Sequence, residues 1–66
     1  MDGMRLSIKA LRINAGLRQT DMAVKLGVSR KTVAAWENGE SIPRADKIDA
    51  ICKVLGVGYD NIKWKA

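Results

Sequence analysis

Apolar positions recur at helical spacing along most of the chain, and a glycine follows each recurrence. Ile8, Leu11 and Ala15 stand at i, i+3 and i+7. Met22, Ala23 and Leu26 make a second stripe, and Val33 with Trp36 a third. Ile48, Ile51, Cys52 and Leu55 fall at i, i+3, i+4 and i+7, the clearest amphipathic signal present. Gly16, Gly27, Gly39 and Gly56 come after these stripes, where a left-handed residue ends a helix. The spacing predicts helices over about Ser7–Asn14, Gln19–Leu26, Ser29–Asn38 and Arg44–Leu55. Gly27–Ser29 should form a tight turn, with Ser29 as N-cap of the third helix. Val57, Tyr59 and Ile62 suggest a final short helix packed on the rest. No segment alternates with the period of a strand. The expected class is all-α, four or five helices joined by tight turns, in one domain over residues 1–66.

Composition narrows this picture. A chain of 66 residues supports one small core, and its 47% apolar content argues for a globule. Trp36, Tyr59 and Trp64 are the only aromatics, so that core must be largely aliphatic. Twelve Lys and Arg against seven Asp and Glu leave a formal charge of +5. That excess favours anionic partners, nucleic acid before acidic lipid or protein surfaces; a generic soluble surface remains the plain alternative. Cys52 is the only cysteine and there is no histidine. An intramolecular disulfide, a structural zinc site and a Cys/His nucleophile pair are therefore excluded, and a reducing cytoplasm fits. Cys52 lies within the apolar stripe and reads as a small core residue. No metal or small-molecule cofactor is expected.

No apolar run approaches the roughly 20 residues that span a bilayer. The opening "MDGMRLS" lacks the apolar region of a secretory leader. Asp46 and Asp49, at i and i+3, read as a solvated helix face and not as a catalytic acid pair. An enzyme is not expected.

The stretch "SRKTVAAWENG" carries the functional question. Wound at about 100° per residue, it puts Val33 and Trp36 on one face with Glu37 beside them. Lys31, Ala35 and Asn38 point the other way, with Ala34 and Arg30 at the flank. Two cations open the helix and oppose its macrodipole, a loss of about 0.3–1 kcal/mol each when exposed. The outer face is low, polar or cationic, and suited to close approach of a polyanion. The major groove of B-DNA admits such a helix, and Arg or Lys near its start can reach guanine O6 and N7. Alternatively, the small residues merely favour helicity on a surface. From Gln19 onward the series Ala23, Gly27, Val33, Trp36 supplies a close helix crossing, a tight turn and a shared core. This is helix-turn-helix logic, in which the second helix reads the groove.

"IKALRINAGLRQTDMAVKLGVS", "WENGESIP" and "IDAICKVLGVGYDNI" together resemble the Cro/cI-type (XRE-like) helix-turn-helix regulators of phages and bacteria, over about Ile8 to Ile62. The combination of "GLRQTDMA", "LGVS", "WENG" and "LGV" carries the likeness. It implies a compact five-helix, lambda-repressor-like domain that binds double-stranded operator DNA, commonly as a homodimer on a palindrome. By position, the resemblance implies that Gln19 contacts a phosphate and that Asn38 touches the backbone. Arg30, Lys31, Thr32 and Ala35 would face base edges. Arg12 and Glu37 match a partly buried ion pair between the first and third helices, in agreement with the inward side of the wheel.

The sequence departs from the family pattern in places. Arg18 and Arg44 stand where small polar N-caps are common, each expected to weaken its helix start by roughly 1 kcal/mol. Each also adds a cation near the expected phosphate line. Ala34 and Ala35 replace longer polar readers, leaving direct readout to few side chains, with alanine against a thymine methyl. Tyr59, Ile62 and Trp64 form an apolar cluster that suits a dimer contact; alternatively, Trp64 folds back on its own core. A protein-interaction module, such as an antitoxin or the adaptor of a larger regulator, is the rival reading.

Overall fold

The computed structural model describes residues 5–64. Met1–Met4, within the stretch that lacks an apolar leader, and Lys65–Ala66, after Trp64, lie outside them. Strand β1 (Leu6–Ser7) leads directly into α1 (Ile8–Asn14), followed by α2 (Gln19–Leu26), α3 (Arg30–Glu37) and α4 (Ala45–Leu55). A single 3-10 turn, Tyr59–Asn61, then delivers the chain to β2 (Ile62–Lys63).

The helix starts follow their capping chemistry. Ser7 Oγ accepts from the Ala10 amide at 3.0 Å, and Ser29 Oγ accepts from the Thr32 amide at 3.1 Å. Arg18 and Arg44 occupy the corresponding positions of α2 and α4 without a side-chain cap. All four predicted glycines have positive φ. Gly27, at φ 70°, ends α2 and lets the chain turn into α3 within three residues.

Ile8 and Leu11 of α1, Met22, Ala23 and Leu26 of α2, Val33 and Trp36 of α3, and Ile51 and Leu55 of α4 form one core with Ile62. α2 packs against both α3 and α4, while α1 reaches α3. The α1 stripe differs from expectation at its end. Ala15 is exposed, because the helix stops at Asn14, and Arg12 completes the buried face instead. Ile48 and Cys52 are half-buried, and Cys52 packs against the core. Burial, and next the nearby Asp49 carboxylate, push the Cys52 thiol up, so it is protonated at neutral pH. A further tie joins α4 to α2: Lys47 Nζ donates to the Leu26 carbonyl at 2.9 Å, closing the C-terminal end of α2.

The fifth helix is corrected to the 3-10 turn. Gly56 leaves α4 at φ 69°, and the Asn61 amide closes on the Gly58 carbonyl at 3.0 Å. Ile62 is already extended. Too few residues remain between Gly58 and Ile62 for an α-helix. Ile62 is 2% exposed, and it pairs in parallel with Leu6, as Lys63 does with Ser7. The expectation of no strand is corrected by this ladder, whose strands are too short to show alternation. Among the described residues, no helix is long and apolar enough to cross a membrane.

Candidate nucleic-acid interface

α3 is held by its apolar side. Val33 and Trp36 are buried under α2 and the core, so the opposite side is presented outward. Arg30, Lys31 and Asn38 are exposed there, while Thr32, Ala34 and Ala35 are half-buried. The first turn of α3 contains both cations and no acid. Nothing within that turn offsets the unfavourable meeting of positive side chains and positive helix end. Thr32 turns its hydroxyl back to within 3.0 Å of Ser29 Oγ, which steadies the start of the helix.

Four of the predicted residues are joined in one hydrogen-bonded chain. Arg12 Nε donates to Glu37 Oε2 at 2.6 Å, and Arg12 Nη2 to Glu37 Oε1 at 3.2 Å. The pair is nearly dry, with side chains 10% and 2% exposed. Arg12 Nη1 also donates to the Leu17 carbonyl at 2.8 Å. Gln19 Nε2 then donates to Glu37 Oε1 at 3.0 Å, and Gln19 Oε1 accepts from Arg30 Nη1 at 3.0 Å. The chain runs from the buried junction of α1 and α3, over the start of α2, to the first residue of α3. Helical spacing identifies the face of Glu37, and the family resemblance alone points to Arg12; the links through Gln19 need the helices in place.

Arg18 stands beside this chain at the start of α2, with its cation engaged. Its Nε and Nη2 donate to the Asp21 carboxylate at 3.1 and 3.2 Å. Asp21 also accepts from the Arg18 amide at 2.9 Å. The guanidinium, first through its hydrogen bonds, holds the Asp21 carboxyl below the usual carboxylate range. Asp21 in turn pushes the Arg18 ionisation further up. The missing cap is thus supplied in part from the third residue of the helix, a role that the spacing of Arg18 and Asp21 signals and the cap residue alone does not. Arg44 is exposed at the start of α4, with Asp46 at 3.8 Å, and no hydrogen bond joins it to the chain from Arg12 to Arg30. Asp49 pairs with Lys53 at 3.1 Å; both aspartates stand on a solvated face.

The expected dimer cluster is divided. Ile62 is withdrawn into the chain's own core, a correction forced by its pairing with Leu6. Tyr59 is 56% exposed. Its ring lies 5.4 Å from that of Trp64 between centroids. Trp64 is half-buried against the core, and its Nε1 donates to the Tyr59 carbonyl at 3.2 Å.

Known proteins resemble this chain in sequence. The HTH_3 helix-turn-helix family matches residues 8–62. Over 39 residues the chain is 54% identical to the 26 kDa repressor protein of Escherichia phage HK022, a match covering 59% of the chain and 17% of that protein. Over 61 residues it is 33% identical to the uncharacterized HTH-type transcriptional regulator YgzD of Bacillus subtilis (strain 168), covering 92% of each. Antitoxin PezA of Streptococcus pneumoniae serotype 4 is 38% identical over 56 residues, which is 85% of the chain and 35% of the antitoxin. No solved structure matches the chain significantly.

Proposed function

The chain belongs to the helix-turn-helix family, and from that membership we propose that it is a sequence-specific double-stranded DNA-binding transcriptional regulator. It acts as a repressor, as a homodimer on a palindromic operator in the cytoplasm. α3 enters the major groove. Lys31, Arg30, Thr32 and Ala35 meet base edges there, while Gln19, Asn38, Arg18 and Arg44 lie along the phosphates. The observation that carries this reading is the start of α3: two exposed cations on a helix whose other face is sunk in the core. They oppose the helix dipole in the free protein, neither is paired with an acid among the described residues, and a polyanion would offset both charges. The +5 charge acts in the same direction.

Selection of duplexes from a randomised library, followed by titration across salt, tests the proposal. Affinity should fall with salt at a log–log slope of about 0.9 per phosphate contacted. Lys31→Ala should lose about 1–3 kcal/mol on the selected site and little on random duplex. Gln19→Ala should weaken both by a similar factor. Absence of any mobility shift at low salt rejects the reading.

A protein-interaction role, as in an antitoxin, is the second reading. The pneumococcal relative and the exposed Tyr59 ring beside Trp64 favour it. Stable capture of a protein partner by a chain that binds no duplex would establish it.

A further inference from the structure

Gln19 carries a donor and an acceptor at the same end of its side chain, and the fold uses both. The NH2 faces the Glu37 carboxylate and the carbonyl faces the Arg30 guanidinium, each at 3.0 Å. Rotated by half a turn, the amide would set oxygen against carboxylate and NH2 against guanidinium. An ionised carboxylate only accepts and a guanidinium only donates, so both bonds would be lost together. Glu37 has no freedom to follow such a rotation. Its side chain is 2% exposed, and both of its oxygens are already engaged by Arg12. Orientation therefore passes outward, from a buried ion pair to a surface amide to an exposed cation.

On the DNA-binding reading above, we infer that Glu37 is a positioning residue for base recognition. It lies too deep to touch a base, yet through Gln19 it sets the direction in which Arg30 presents its donors. With Nη1 held by Gln19 Oε1, the remaining N–H groups of the guanidinium form a pre-aimed fork. The acceptors that match such a fork are O6 and N7 of one guanine, and a group held in its bound orientation loses less freedom on binding. An acceptor at position 19 suits a donor at position 30. Glu37 enforces that match.

The test uses variants that spare the fold. Arg12→Met with Glu37→Met removes the carboxylate without stranding a charge, an exchange that buried ion pairs commonly tolerate. Gln19→Met removes the amide from a half-exposed site. Arg30→Met identifies the base pair that Arg30 reads within the site selected by the wild-type chain. At that pair alone, the Arg12/Glu37 double variant should lose about tenfold of the preference for guanine. Gln19→Met should lose as much, and combining all three substitutions should add nothing further. Preference is the ratio of selected-site to single-base-variant affinity, so loss of a phosphate contact at Gln19 cancels. If the double variant fails to fold, retention of the preference by Gln19→Met still overturns the inference. Full retention of the preference in a folded variant overturns the inference, as does an Arg30→Met change that alters no pair; both leave DNA binding standing. A wild-type chain that selects no duplex overturns both.

Discussion

Glu37 carries a formal charge where almost no water reaches its side chain. Taking a carboxylate and a guanidinium out of water is costly, and close geometry with Arg12 is what offsets it. Removing one partner leaves the other dry and unpaired, so Glu37→Ala should destabilise by about 3–5 kcal/mol. That is a large part of the few kcal/mol holding a small domain together, and a thermal melt left unshifted would reject the assignment. The inward placement of Glu37 is legible in the helical period. Its bond to Gln19 is not, because the two lie 18 residues apart on different helices. Asp21 behaves differently, its side chain being 34% exposed. Its folded ionisation is depressed, chiefly by hydrogen bonds from the Arg18 side chain and then from the Arg18 amide. Its contribution is in place above the ordinary carboxylate range and is lost as pH falls through the lowered folded value. An acid titration followed at the Arg18 amide by NMR should show a midpoint below 3.8; a midpoint at or above it contradicts the pairing.

Elements follow the sequence where their signals are local. The apolar stripes, the glycine stops and Ser29 as N-cap are all read within one turn of the chain, and α2 runs over the same residues that the spacing predicts. Long-range devices stay hidden from such reading. Lys47 closing the end of α2 and Leu6 meeting Ile62 depend on distances that only the folded chain sets. The last expected helix failed for the same reason: the side chain of Ile62 is drawn to the core, and the extended backbone that takes it there cannot be helical. Gly27 permits an element-scale measurement. A Cβ added there meets nothing within 4 Å, so Gly27→Ala isolates the backbone penalty of φ 70°, about 1–2 kcal/mol. Chemical denaturation should show that loss with an unchanged slope. A neutral result would mean that the turn between α2 and α3 adopts another conformation.

For the molecule as a whole, the proposed dimer now rests on Tyr59 and the outward part of Trp64, since Ile62 is spent on the internal core. A two-fold pairing there would set the α3 helices of two copies about 34 Å apart, one turn of DNA. Sedimentation of the wild-type chain with its selected duplex should give two protomers per site, and Trp64→Ala should shift that equilibrium toward one. A wild type that stays monomeric at high concentration, alone and on DNA, rejects the pairing. The ladder between Leu6–Ser7 and Ile62–Lys63 has a mechanical consequence. Because the two strands run parallel, a pull applied ahead of Leu6 and behind Lys63 draws them past each other lengthwise. Their hydrogen bonds then share the load and rupture as a set, instead of opening singly like a zip. The helices beneath feel that tension only after the clasp has slipped, so an optical-trap trace pulled from these two points should begin with one small, abrupt extension.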